Sequence, residues 1–284
     1  MAKEVVLCEN AGFCFGANRG YNAVEEALKE NVPLYTFGPI LNNSFIVENF
    51  EKQGVKVVND VEEFKNLPKG KIIIRSHGVS KDVFEALENT GFDIFDATCP
   101  FVKRIHRIVA KESAEGKVIV VIGNPNHPEV KGIVGWSETP SFVIENTEDA
   151  KAFKCDNEDK ICIVSQTTFN RNKFEELVEI LTDNCYNISV MNTICDATSV
   201  RQSEAEKLSK RADVMIVIGD RQSSNSKKLF EICSANCEKT YFIQELGDIV
   251  GRLPKVSGLV GITAGASTPK YIIEEVQSYV RNDV

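Results

Sequence analysis

No CxxC pair occurs in this 284-residue sequence, although it holds nine cysteines. Zinc ribbons and thioredoxin-like redox motifs are built on that spacing, so both lose their support. The closely spaced cysteine runs of common iron–sulfur proteins are missing too. No apolar run exceeds five residues, the longest being Val118–Ile122 and Val214–Ile218, whereas a transmembrane helix needs about 20. The opening stretch, MAKEVVLCENAG, has nothing long enough for a signal peptide. There is no basic tract: 33 Lys and Arg face 41 Asp and Glu, a formal charge of −8, which suits neither nucleic acid nor an anionic surface. These absences predict a cytoplasmic protein that binds neither membrane nor nucleic acid. An odd cysteine count without an export signal speaks against a disulfide scaffold and for thiols in a reducing compartment. Any cysteine metal site must then draw its ligands from distant parts of the chain.

What is present is a globular core. Apolar residues make up 43% of the chain, enough to exclude intrinsic disorder. Short apolar strands alternate with amphipathic helices along the whole length. Candidate strands are Glu4–Leu7, Leu34–Phe37, Val55–Val58, Lys71–Ile74, Val118–Ile122, Phe142–Ile144, Ile161–Val164, Val214–Ile218, Tyr241–Ile243 and Leu259–Ile262. Helical patterns include Phe101–Glu112, Asn172–Thr182, Arg201–Lys210 and Lys270–Tyr279. Strands of this length, β-branched and almost wholly apolar, are what a parallel sheet covered on both faces requires. The fold class is α/β.

The pattern repeats three times. Cys14 (AGFCFG), Cys99 (DATCP) and Cys195 (NTICDAT) stand 85 and 96 residues apart, and 24 residues beyond each is a glycine closing an apolar strand: Gly38, Gly123 and Gly219. Four residues further, each loop carries a polar group: Asn42, His127 and Ser223. A later strand in each third ends in another: His77 in RSHG, Thr167 in SQTT and Ser267 in TAGAS. We divide the chain into three similar α/β lobes with parallel-type sheets, residues 1–97, 98–193 and 194–284, in a pseudo-threefold arrangement around a central cavity.

In open α/β sheets, ligands bind beyond the carboxyl ends of the strands. Each polar motif falls at such an end, so each lobe would bring one thiolate and two polar loops to the cavity. Three soft sulfur ligands suit a [4Fe–4S] cluster with one iron left open to substrate; zinc on three cysteines is the competing metal. Of the remaining cysteines, Cys162 reads as an apolar filler, and Cys233 and Cys237, i and i+4 on one helix, share a face that suits packing, with a metal pair as the less favoured alternative. Cys8 could substitute as a ligand, and Cys155 and Cys185 look incidental in polar surroundings. His77 and His127 belong to the cavity, whereas His106 lies inside a helix and reads as structural. Glu129 is the carboxylate placed for acid–base work. Ser223, Ser224 and Asn225 open a helix; capping would explain one of them, and the run together makes a phosphate nest. Ser267 has the same double reading.

The segments AGFCFGANR, RSHGV, DATCP, GNPNHPEVKG, SQTT, ICDATSVRQ, GDRQSSNS and GITAGAST resemble the 4-hydroxy-3-methylbut-2-enyl diphosphate reductases, the last enzymes of the non-mevalonate isoprenoid pathway. The resemblance runs from residue 11 to 268. It implies three α/β lobes around a central cavity and a reductive dehydroxylation, with two electrons and two protons giving isopentenyl and dimethylallyl diphosphate. It implies that Cys14, Cys99 and Cys195 hold the cluster, whose open iron binds the substrate hydroxyl. It makes His77, His127, Ser223, Ser224, Asn225 and Ser267 diphosphate ligands, Glu129 the proton donor and Thr167 the hydroxyl that helps relay the proton. A ferredoxin or flavodoxin is the electron donor it implies. One departure stands out. The family's GP-x-x-HN is here GPILNN, with Asn42 in place of His. Asparagine can donate a hydrogen bond but cannot supply a cation.

Two other readings compete. Quinolinate synthase shares a three-lobed, three-cysteine plan, but its carboxylate substrates call for Arg or Tyr at the loops, where this sequence has Ser, Asn and His. A non-enzymatic electron carrier or redox sensor would need a fourth ligand and no set of polar loops.

Overall fold

The computed structural model describes residues 4–156, 158–253 and 258–282. In chain order it begins β1 (Glu4–Leu7), α1 (Phe15–Leu28), β2 (Leu34–Phe37), α2 (Ser44–Lys52), β3 (Lys56–Val58), β4 (Lys71–Ile74), α3 (Lys81–Glu88) and β5 (Asp93–Asp96). It continues with α4 (Pro100–Ala114), β6 (Val118–Ile122), α5 (Pro128–Val134), β7 (Ser141–Ile144), α6 (Thr147–Ala152), β8 (Lys160–Ser165), α7 (Arg171–Asn184) and β9 (Asn187–Val190). The last part is α8 (Asp196–Ser209), β10 (Val214–Ile218), α9 (Ser224–Asn236), β11 (Thr240–Ile243), β12 (Leu259–Ala264) and α10 (Lys270–Asn282).

The strands form three four-stranded sheets, ordered β3-β2-β4-β5, β7-β6-β8-β9 and β11-β10-β12-β1. All pairings are parallel. The three orders are one topology. In each sheet the inner strands are the apolar runs read from the sequence, and residues such as Ile72, Ile73 and Ile74 are fully buried. Consecutive strand residues face opposite sides, so an unbroken apolar run needs cover on both. The second sheet has it: one cluster gathers Val120, Ile122, Ile161 and Ile163, and another Ile119, Val121, Cys162 and Val164. Burying each such side chain contributes roughly 2 kcal/mol.

β5 and β9 were not among the expected strands. They read DIFD and NISV, with burial alternating or partial. Both are sheet edges and lack the apolar run of an inner strand. β1 is their counterpart: β5 leads to Cys99, β9 to Cys195 and β1 to Cys14. β1 pairs with β12, Val5 opposite Val260 and Leu7 opposite Ile262. The N-terminal strand therefore completes the third sheet, whereas the division at 1–97 counted it with the first. The outermost residues of that division, 1–3 and 283–284, lie outside the described ones.

The chain forms two compact units. One comprises Met1–Asn18, Leu41–Asn49 and Asp196–Val284 and carries the third sheet; the other comprises Arg19–Ile40 and Phe50–Cys195 and carries the first two. Within the second unit, Trp136 after α5 donates its indole N–H to the carbonyl of Val79 at 2.9 Å. The backbone N–H of Lys81 donates to the carbonyl of Gly135 at 3.3 Å. These bonds join the loop after β4 to the end of α5, and so bring two polar strand-end loops together. Trp136 also stacks on His106, ring centroids 5.2 Å apart, in keeping with a structural role for that histidine. No helix among the described residues is long and apolar enough to cross a membrane.

Candidate functional site

The second unit holds the acid, both imidazoles and two of the three key cysteines. His77 follows β4, and Gly78 takes φ +70° to turn the chain behind it. His127 is the N-cap of α5: its Nδ1 accepts from the backbone N–H of Glu129 at 3.2 Å. A ring nitrogen that accepts carries no proton, so neutral His127 is the Nε2–H tautomer. The two rings meet edge to face with centroids 5.2 Å apart. Burial, with Arg75 adding to it, pushes the His127 imidazole down to about 4. Burial first, then His127 and Arg75, hold His77 well below the usual histidine range. Both rings are therefore neutral donors near pH 7, and the buried Nδ1 of His77 has no hydrogen-bond partner.

Glu129 sits in the first turn of α5 and is 2% exposed. Thr167, after β8, donates its backbone N–H to Oε1 at 2.6 Å and its hydroxyl to Oε2 at 2.8 Å. Burial outweighs both bonds and pushes the carboxyl up to about 7, where an acid can donate and recover a proton at neutral pH. The cysteines hang on the same loops. The N–H of Cys99 donates to the carbonyl of Ser76 and that of Cys195 to the carbonyl of Thr167, each at 3.0 Å.

The other unit repeats this device: the N–H of Cys14 donates to the carbonyl of Ala266 at 3.1 Å. Ser267 is buried, and its hydroxyl donates to the carbonyl of Asn42 at 3.0 Å. Asn43 returns the link from its amide to the carbonyl of Ser267 at 2.9 Å. Asp220 fixes the neighbouring loop, accepting from the N–H and hydroxyl of Ser44, both at 2.9 Å, and from Gln244 at 3.1 Å. Ser223 is the N-cap of α9, accepting from the N–H of Ser226, so the capping explanation applies to this member of the run. Ser224 opens the helix. Asn225 is 3% exposed, and neither end of its amide has a partner. An unpaired buried amide costs about 1–3 kcal/mol unless a ligand completes it.

Asn43, Asp220 and Arg75 were not singled out by sequence. Asn43 could have been found as the Asn of the GP-x-x-HN pattern. Asp220 gave no signal beyond its place after a strand–glycine.

The cysteines sort by exposure. Cys155 and Cys185 form a disulfide with Cα atoms 6.1 Å apart. This corrects the expectation that they are incidental and that all nine are thiols; Cys185 is buried in the core of the second sheet, not in polar surroundings. Of the seven others, Cys8, Cys162, Cys233 and Cys237 are buried, while Cys14, Cys99 and Cys195 are partly exposed. Burial pushes Cys8 and Cys162 up to about 11 and Cys233 to about 12, which suits packing and not ligation. Cys8 packs with Cys233 and Cys237 in one apolar cluster, so it is no substitute ligand. The three that remain each lie just before the N-terminus of a long helix. Partly exposed thiols are the soft donors that an iron–sulfur cluster takes. Among the described residues, no three His, Cys, Asp or Glu side chains are gathered around a single-ion site.

Known proteins give a consistent answer. The family described as LytB protein matches residues 5–281. A 4-hydroxy-3-methylbut-2-enyl diphosphate reductase of Caldanaerobacter subterraneus subsp. tengcongensis is 43% identical over 282 residues, covering 98% of this chain and 97% of the relative. One from Geobacter sulfurreducens is 41% identical over 273 residues, covering 96% and 95%. A solved structure of the E-1-hydroxy-2-methyl-but-2-enyl-4-diphosphate reductase from Plasmodium falciparum superposes with a TM-score of 0.93 at 28% identity, covering 100% of this chain and 89% of the other.

Proposed function

The chain belongs to the LytB protein family, an oxidoreductase family by the names its relatives carry, and from that premise we propose that it reduces 4-hydroxy-3-methylbut-2-enyl diphosphate. The C–O bond of the allylic alcohol breaks, two electrons and two protons are taken up, and one water leaves. The products are isopentenyl and dimethylallyl diphosphate. The observation that carries the reading is Glu129: a buried acid, poised at about 7, on the helix capped by an imidazole whose Nε2–H is ready to donate.

Cys14, Cys99 and Cys195 would hold a [4Fe–4S] cluster. When bound, that group supplies the electrons and a Lewis-acidic iron. The chain's own residues bind and protonate. His77, His127, Ser224, Asn225 and Ser267 hold the diphosphate, with Ser223 fixing the helix start. Asn42 stands beside Ser267 as a neutral contact. Anchoring by this remote group positions the allylic end. Glu129 gives its proton to the departing hydroxyl, and Thr167 orients the carboxyl and relays a proton back to it. The external donor is a ferredoxin or flavodoxin, and the enzyme works in the cytoplasm.

The test is anaerobic turnover with a chemical one-electron reductant, following both products by mass. Native chain that binds the substrate and forms neither product would overturn the reading. Formation of both, with loss in Glu129→Gln, supports it.

A further inference from the structure

Arg75 is the first residue after β4, two before His77. Its side chain is half-buried, and its Nε is shielded from water without a hydrogen-bond partner. Among the described residues the guanidinium has no ion pair, and no side-chain hydrogen bond is made by it. It is nonetheless tightly housed. A Cβ built on Gly38 would come 2.4 Å from Nη1 and 2.8 Å from Cζ, and Gly38 itself takes φ +70°. The glycine closing β2 therefore leaves the space that the guanidinium fills. Its charge acts on both imidazoles.

A half-buried cation without a counter-charge is unfavourable. Arginine stays charged at any physiological pH, so it cannot escape that cost by losing its proton as a lysine would. A folded chain keeps such a group where an anion completes it. The neighbouring donors are neutral, and the other proposed diphosphate contacts are hydroxyls and amides. Neutral donors alone would leave the charge of a diphosphate uncompensated, whereas the planar fork of arginine matches two phosphate oxygens at once.

We propose that Arg75 is the positioning cation of the diphosphate site, receiving the phosphate oxygens that His77 and His127 then bond. This rests on the function proposed above. The notion that an arginine at these loops marks a carboxylate substrate gives way here, because the imidazoles and the unpaired Asn225 amide are not carboxylate clamps.

The experiment compares native chain, Arg75→Lys and Arg75→Met, each isolated anaerobically and intact. Isothermal titration is run with inorganic diphosphate and with isopentenyl diphosphate, and the melting temperature is read without ligand. A hydrogen bond to a charged group is worth about 1.5–3 kcal/mol, so Arg75→Met should weaken both ligands about 10–100-fold and raise KM more than it lowers kcat. Arg75→Lys keeps the charge and should recover part of the loss. Because the ligand-free cation is unpaired, the melting temperature of Arg75→Met should stay level or rise. A variant that binds both ligands as the native chain does overturns the inference and leaves the function standing. A fall in melting temperature with no recovery in Arg75→Lys assigns Arg75 to structure and also overturns it. Native chain that binds neither ligand defeats the functional reading, and the inference with it.

Discussion

Thr167 donates to Glu129 twice, through its N–H to Oε1 at 2.6 Å and through its hydroxyl to Oε2 at 2.8 Å. Two such bonds favour the carboxylate, but full burial favours the acid, and burial wins by leaving the group near 7. The same residue accepts from the N–H of Cys195 at 3.0 Å, so the proposed proton donor and a cysteine of the proposed cluster are fixed by one residue.

Glu129→Gln keeps the shape and the bond to the Thr167 backbone while removing the acid. Turnover should fall about 10²-fold or more, as expected for a lost general acid, while isopentenyl diphosphate still binds. Titration calorimetry beside a product assay separates the two. Loss of diphosphate binding in this variant would take away its role as proton donor.

The carboxyl also ties stability to pH. Its folded value of about 7 lies above the ordinary 4.5, so between those limits the folded state holds a proton that the unfolded state has lost. The contribution to stability is complete below about pH 4.5 and disappears as pH rises through 7. At about 1.4 kcal/mol per unit, the change amounts to roughly 3 kcal/mol. His127 and His106, both pushed down to about 4, work the other way, losing stability as pH falls from 6.5 to 4. They are common to native chain and variant and cancel in the difference. Urea unfolding at pH 5 and pH 8 should therefore show Glu129→Gln gaining on the native chain at the higher pH. An equal difference at both values would mean that the carboxyl is not raised.

The cysteines should fall into three behaviours. Cys14→Ser, Cys99→Ser and Cys195→Ser should each lose bound iron, measured by metal analysis and visible absorbance. Cys162→Ser and Cys237→Ser should keep iron and lose some stability through a polar group in an apolar cluster. Cys155→Ser should keep iron and lower the melting temperature only without reductant, since closing the loop between Cys155 and Cys185 is worth about 3–4 kcal/mol in the chain-entropy account. Iron loss in Cys237→Ser as complete as in Cys99→Ser would break the assignment.

The sequence displayed the inner strands because they are continuous apolar runs, and the threefold repeat because cysteine, strand–glycine and polar loop recur in step. It hid β5 and β9, because an edge strand such as DIFD or NISV needs burial on only part of its surface and carries no run. It hid the place of β1 for a different reason: a strand's partner is decided by pairing at long range, and Glu4–Leu7 looks the same beside either sheet. The pairing of Cys155 with Cys185 was illegible because no spacing rule connects two cysteines that meet only when β8 and α7 have formed. Arg75 was passed over because RSHG offers a histidine, and nothing in four letters tells whether the arginine before it points at solvent or into Gly38.

Asn42 gives the last prediction. Its carbonyl accepts from Ser267 and its neighbour Asn43 holds the carbonyl of Ser267, so the loop is fixed by the backbone of residue 42 and the side chain of residue 43. The side chain of Asn42 is spared from that work. Asn42→His should therefore preserve the loop while placing an ionisable ring next to Ser267. A charge-assisted bond is roughly twice as strong as a neutral one, so the variant should bind isopentenyl diphosphate as tightly as the native chain at pH 8 and more tightly as pH falls through about 6.5. Asn42→Ala should lose about 1 kcal/mol of binding, one neutral hydrogen bond. Asn43→Ala should instead lower the melting temperature, because it releases the loop. Dissociation constants between pH 5.5 and 8 for the native chain and Asn42→His decide the matter. Parallel curves would mean that residue 42 does not face the diphosphate, and that Ser267 alone represents this pair of loops at the site.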